Sequence, residues 1–314
     1  MLNIVHCNTK NKSLRMRKVP TRTSFCRYEC VATATQSCHE TLMRLCHSAF
    51  VIVLSLPLSA PPAAARECPV PEQLDFVVDK KIDRSERGLT QGLEFHDGKL
   101  YESTGRALGD TRINMIDLDG TVTALANLGD TVFGEGLTIL NGEVFQLTWQ
   151  ENIVFVYDLE GNLLRQMPNP YTGWGLASDG EHLLFTDGEG QLRFADPKTF
   201  EITREIELRT AAGVSPVWMN ELEYVDGKLY GNIFTSDWII RVDPQSGCVE
   251  AVSDMAHLRS QLSAEELAQI ADSPENVLNG IARDPQSKKF YITGKRWPMI
   301  FVGDFRQQGT ASQQ

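Results

Sequence analysis

The sequence predicts an all-β fold, a five-bladed β-propeller, and three observations predict it. After the first sixty-odd residues no long amphipathic helix is visible until about residue 260. Short apolar stretches alternate there with Gly, Asp and Asn turns, the pattern of strands joined by tight connections. One arrangement then recurs: Gly92-Leu93, Gly136-Leu137, Gly175-Leu176 and Gly280-Ile281, with Leu222 filling the fourth place, each open a similar stretch. An apolar-aromatic strand follows each time, at Leu100-Tyr101, Val144-Phe145, Leu184-Phe185, Leu229-Tyr230 and Phe290-Tyr291. Units of roughly 40 to 60 residues, each a small antiparallel sheet, bury both faces only by stacking radially, so together they make one domain.

From the N-terminus, residues 1–42 are basic and polar without periodicity, the mark of a start placed too early or of a segment without order. Met43-Arg44, the apolar run Ala49 to Leu56 and the small residues Ala63-Ala64-Ala65 describe a secretory signal peptide over 43–65. That run is too short to span a bilayer. The expected mature chain, 66–314, is an exported, periplasmic or secreted monomer without stable membrane association. Its two cysteines, Cys68 and Cys248, are left as a candidate disulfide beside the alternative of two free thiols. Cys26 and Cys30 have no second pair at zinc-ligand spacing, so no metal is expected. The whole chain carries a net −11, and residues 66–314 carry 22 Lys+Arg against 39 Asp+Glu, a net −17. Such a charge argues against nucleic acid as a partner.

Leu74 to Ile82, rich in β-branched residues and lying before the first repeat, is expected to add a strand to the last blade and close the ring. The first four repeats each continue to a further strand and turn, as in Ile116-Asp117-Leu118-Asp119-Gly120 and Val242-Asp243-Pro244. Between the fourth and fifth repeats, Ser263-Ala264-Glu265-Glu266 reads as a capping box opening a short helical insertion to about Ala271.

Candidate chemistry lies where the repeats disagree. Two places before the shared Leu or Ile stand Gln91, Glu135, Trp174, Asn220 and Asn279. In a propeller this position, at the entry of the innermost strand, lies near the axis, so the five side chains should converge. A second set, four residues beyond the next strand's aromatic, is Gly105, Trp149, Glu189, Phe234 and Lys295. Singly these residues have bland readings: Trp packs blades, Asn or Gln beside Gly forms turns, and Lys295 or Glu135 faces water. Registration, one candidate per blade at the same place, makes them a concave site with apolar walls and a few polar groups.

Thr90-Gln91-Gly92-Leu93-Glu94, Tyr101-Glu102-Ser103-Thr104-Gly105, Phe133-Gly134-Glu135-Gly136-Leu137-Thr138, Gln146-Leu147-Thr148-Trp149, Gly173-Trp174-Gly175-Leu176, Asn220-Glu221-Leu222-Glu223-Tyr224, Asn279-Gly280-Ile281-Ala282 and Thr293-Gly294-Lys295 resemble, in order, the plant and bacterial type of glutaminyl-peptide cyclotransferase. The resemblance implies a five-bladed propeller without a catalytic metal or other cofactor. It implies conversion of N-terminal glutamine of peptides or proteins to pyroglutamate with release of ammonia. It implies Glu135 as the acid/base carboxylate, Asn220 and Lys295 as polar support, and Gln91, Phe133, Trp149 and Trp174 as substrate pocket, with Asn279 beside them in the ring. Leu89 and Phe234 depart from the pattern, standing where the plant enzymes have Phe and Trp. Both keep an apolar wall, so altered substrate fit with the reaction retained is expected. Two rival readings are a calcium-dependent lactonase-like propeller, for which one carboxylate among Trp and Lys is a poor cage, and a non-catalytic binding propeller.

Overall fold

Two-residue turns set the strand pairing. Asp97-Gly98 joins β2 (Leu89–His96) to β3 (Lys99–Gly105), Asn141-Gly142 joins β6 (Gly134–Leu140) to β7 (Glu143–Thr148), and Asp226-Gly227 joins β14 (Met219–Val225) to β15 (Lys228–Ile233). Both residues of each doublet have positive φ, between 47° and 84°. That is the conformation of a type I′ turn, whose twist matches the flanking strands and which Asn-Gly and Asp-Gly adopt most easily.

The computed structural model describes residues 67–106 and 111–309. The expectations for residues 1–42 and for a signal peptide over 43–65 lie outside the described residues. Three four-stranded antiparallel sheets follow one another in chain order. The first is completed by β4 (Thr111–Ile116) and β5 (Val122–Gly129), the second by β8 (Ile153–Tyr157) and β9 (Leu163–Pro168). The third comprises β10 (Leu176–Ser178), β11 (Leu183–Phe185), β12 (Gln191–Ala195) and β13 (Ile202–Glu207). The remaining strands are β1 (Glu72–Asp83), β16 (Trp238–Val242), β17 (Val249–Asp254), β18 (Leu278–Arg283), β19 (Phe290–Gly294) and β20 (Met299–Gln307). With β14 and β15 they form an eight-stranded sheet in the order β14-β15-β16-β17-β1-β20-β19-β18.

The expected closing segment is β1. It runs antiparallel to β20 from Leu74 opposite Gln307 to Asp83 opposite Met299, and parallel to β17 at Glu72–Ala251 and Gln73–Val252. Cys68, just before β1, is bonded to Cys248, just before β17, with their Cα atoms 5.3 Å apart. Between β17 and β18 lie α1 (Ala256–Arg259) and α2 (Ala264–Ile270). Ser263 caps α2, and Ser263 with Glu266 forms the reciprocal capping box read from the sequence. The four-residue α1 is too short to leave a periodic signal.

Inner and outer strands differ in pattern because they differ in surroundings. β13 alternates half-buried and exposed residues, as a strand with one wet face must. β2 and β6 are buried almost throughout, because neighbouring sheets cover both faces. Apolar clusters fill the gaps between consecutive sheets. Tyr101, Ile113, Leu137 and Val144 join the first to the second, Phe145, Leu147, Leu176 and Phe185 the second to the third, and Leu184, Phe194, Leu222 and Leu229 the third to β14–β17. Tyr230, Ile239, Ile281 and Phe290 join β14–β17 to β18–β20. Leu93, Leu100, Tyr291 and Ile300 return to the first sheet. The inner strands accordingly form a circuit in which β2 abuts β6, β6 abuts β10, β10 abuts β14, β14 abuts β18, and β18 abuts β2.

Candidate active site

The ring residues sit where strand pairing is interrupted. In four inner strands the register slips at the entry, between Thr90 and Gly92, Gly134 and Leu137, Met219 and Leu222, and Leu278 and Ile281. Those slips place Gln91, Glu135, Asn220 and Asn279 in β-bulges, and a bulge re-aims the side chain it carries. Trp174 stands just before β10, in a loop whose backbone pairs with Thr186. Sequence comparison found the positions, and the bulges explain why polar residues there leave the sheets intact.

Burial separates these residues from their bland readings. Gln91, Glu135, Asn220, Asn279 and Lys295 are all buried, with Glu135 6% and Lys295 5% exposed. The side-chain oxygens of Gln91, Asn220 and Asn279 are buried acceptors without a hydrogen-bond partner among the described residues. Such atoms cost free energy unless a ligand satisfies them. Asn279 donates its Nδ2 to the Thr90 carbonyl at 2.9 Å, which orients the amide and leaves its oxygen as the free acceptor.

Aromatic side chains flank these polar groups in two pairs. Trp174 meets Phe234 edge-on at 5.8 Å, and the Lys295 ammonium lies 4.4 Å from the centre of the Phe234 ring. Phe133 meets Trp149 edge-on, also at 5.8 Å, and their backbones pair through the Trp149 N–H. Trp149 is 38% exposed, which puts it at the rim. Leu89 is buried opposite Gly105, where any added side chain would run into Phe133 and Leu89. Glu189, of the second set, is exposed.

Burial pushes the Glu135 carboxyl up to about 8; Lys295 opposes that shift and Glu151 adds to it. The same burial lowers the Lys295 ammonium, against Glu135 and Glu275, which raise it. Desolvation thus outweighs the attraction between the two groups, the balance the sequence left open. At neutral pH the Glu135 proton is mostly in place and is lost near the pH at which an α-amine loses its own. Glu135 can therefore take up or release a proton near that pH at little cost.

A family profile described as Glutamine cyclotransferase matches residues 50–304. The chain belongs to the glutamine cyclotransferase family. Among curated family relatives, a glutaminyl-peptide cyclotransferase of Arabidopsis thaliana is 36% identical over 229 residues, 71% of this chain and 69% of the relative. The crystal structure of Myxococcus xanthus glutaminyl cyclase superposes with a TM-score of 0.68 at 30% identity, covering 76% of this chain and 99% of that one.

Two features of this family member were missed by reading the repeats. Arg84, ahead of the first repeat, donates Nη2 to both Glu102 oxygens at 2.7 Å and Nη1 to Thr90 Oγ1 at 3.2 Å, while Asn114 Nδ2 donates to Glu102 at 3.0 Å. This dry network anchors the residue beside Gln91, and an ion pair so buried is costly to break from one side. The second is Glu221, in the place where the other repeats have glycine. The signal that marks it is that exception to the glycine pattern, one residue after Asn220.

Proposed function

We infer that this chain carries the family's activity, turning the N-terminal glutamine of a peptide or protein into pyroglutamate and ammonia, with Glu135 as the acid/base group. The observation that carries the reading is the buried Glu135 carboxyl, pushed up to about 8 beside Lys295 in a ring of unsatisfied amide oxygens. The reaction is intramolecular. The α-amine nitrogen bonds to the side-chain amide carbon, the amine proton passes to Glu135, and the C–N bond to the amide nitrogen breaks as that nitrogen takes a proton from Glu135 and leaves as ammonia. A single carboxyl serves as base and then acid, most effectively when its pKa lies near the working pH.

The other ring members divide the remaining tasks by their hydrogen-bonding capacity. Asn279 Oδ1, able only to accept, suits an N–H of the substrate amine. Gln91 and Asn220 each bring an amide NH2 as well as an oxygen, and with Lys295 they supply donors for the oxygen that becomes negative as the ring closes. Phe133, Trp149, Trp174 and Phe234 hold the glutamine side chain curled toward its own amine, which removes the rotational freedom the reaction would otherwise have to lose. Leu89, beside Phe133, and Phe234, beside Trp174, are smaller than the plant residues at their places and widen the apolar walls, and Phe234 lacks the indole N–H that a Trp would bring.

The eight-stranded sheet reads as β14–β17 plus β18–β20 completed by β1, which makes five blades in one domain over 66–314, with α1 and α2 inserted between the fourth and fifth. The Cys68–Cys248 bond and the leader-like segment 43–65 support export to a periplasmic or extracellular location. We read the working form as a monomer that needs no metal; among the described residues no group of three or more His, Cys, Asp or Glu is placed to hold one.

The test is mass spectrometry of a Gln-initiated peptide incubated with the protein and a chelator. Wild type should remove one ammonia per peptide and Glu135→Gln none. Release by the variant at a near-normal rate removes Glu135 from its role, and no release by the wild type removes the activity.

A further inference from the structure

The inner strands touch through glycine. A Cβ at Gly92 would meet Leu137 of β6, one at Gly136 would meet Leu176 of β10, one at Gly175 would meet Asn220 of β14, and one at Gly280 would lie 3.2 Å from Thr90 of β2. The fourth repeat has Glu221 at this place, 1% exposed. Its Oε2 accepts the Ile281 N–H of β18 at 2.7 Å, and its Oε1 reaches across the ring to accept the Leu93 N–H of β2 at 3.0 Å. Its own N–H donates to Asn232 Oδ1 at 3.0 Å, and Asn232 Nδ2 donates to the Leu278 carbonyl at 2.7 Å.

These bonds fall beside the reacting ring. Leu93 is two residues after Gln91, Ile281 two after Asn279, and Glu221 is next to Asn220. A bulge leaves its extra residue outside the ladder, so sheet pairing alone does not fix how far apart the three amides stand.

We propose that Glu221 is a positioning residue for cyclisation, a clamp whose two oxygens hold the strands presenting Gln91 and Asn279 at fixed distances from Asn220. The proposal rests on the activity assigned above. Glycine suffices to let strands approach in the other repeats, so the glutamate is not needed for packing as such. Burial holds the Glu221 carboxyl well above the usual carboxylate range, and the Leu93 and Ile281 N–H groups oppose that shift without cancelling it, so the group is kept at a cost that packing does not require. Reacting groups misplaced by about 1 Å lose on the order of 100-fold in rate, so a loosened clamp should act on kcat more than on KM.

Glu221→Gln keeps the shape but turns an amide NH2 toward one of the two N–H groups; Glu221→Gly supplies the residue of the other repeats. Glu223→Gln is the control, because Glu223 is a second buried carboxyl on β14 that accepts one N–H, that of Arg283, and an amide oxygen can still do so. The measurements are kcat and KM for a Gln-initiated peptide, taken well below each variant's melting temperature. Both Glu221 variants should lose roughly 10- to 100-fold in kcat with KM changed by less than about threefold, the glycine variant losing more, while Glu223→Gln stays within about twofold of wild type. The proposal is overturned if either Glu221 variant keeps kcat within twofold, if Glu223→Gln loses as much, or if Glu221→Gln does not fold, which would assign Glu221 to the scaffold. Wild type inactive on the peptide would instead sink the activity, and this role with it.

Discussion

A carboxyl that ionises near pH 8 in the folded chain and near 4.5 in the unfolded one makes stability depend on pH. Below about 4.5 both states hold the proton and Glu135 costs nothing. As pH rises toward 8 the unfolded state gives up its proton while the folded state keeps it, so stability falls across that window. The linkage is on the order of 3 kcal/mol. Glu135→Gln, inactive for want of a titratable group, should therefore melt higher than wild type at pH 7 to 8, with the gap closing as pH falls toward 4.5; equal melting at both ends would show that Glu135 is not desolvated. Lys295 tests the same balance from the other side. Its charge holds Glu135 down, so Lys295→Met should raise the Glu135 pKa and shift the acid limb of the kcat/KM profile upward, beside a lower rate. Wild type needs Glu135 ionised and the substrate amine neutral, groups that titrate at about 8 and about 7.7 to 8.0, so kcat/KM should rise through that range toward a plateau.

At the scale of elements, the turns were the most readable part of the chain, and the bulges and the burial of the site the least. Asp97-Gly98, Asn141-Gly142 and Asp226-Gly227 specify their hairpins through local backbone chemistry, which is why each strand pair follows from a few neighbouring residues. The capping box at Ser263 was legible for the same reason. That Glu135 and Lys295 are dry depends on strands more than a hundred residues apart in sequence, and no local pattern encodes it. Registration across repeats was the substitute signal, and it located Gln91, Asn220 and Asn279 as well. It passed over Glu221, whose partners are backbone groups of other strands, and over Arg84, which precedes the repeats. The Cys68–Cys248 bond belongs to this scale too, pinning the start of β1 to the strand it joins. Reducing it, or substituting both cysteines by serine, should cost about 2–4 kcal/mol. Calorimetry should show this as a melting point lower by roughly 5–15 °C, while turnover at 25 °C is retained, since neither sulfur lies in the ring; loss of turnover at that temperature would tie the bond to the site.

On the scale of the molecule, the strands that carry the ring amides are tied to one another by side chains far apart in the chain. Thr90 receives its bond from Asn279, and Glu221 holds both β2 and β18. Such long-range pairing is slow to form, because loops must close before the contacts that stabilise them exist. The placing of β1 between β17 and β20 adds a consequence for the timing of activity in the cell. A chain still being synthesised has β1 without its β20 partner, and a pocket whose walls come from every sheet is incomplete until β20 docks. Closure of the inner-strand circuit, and with it a complete pocket, therefore waits on two strands from opposite ends of the described residues finding each other.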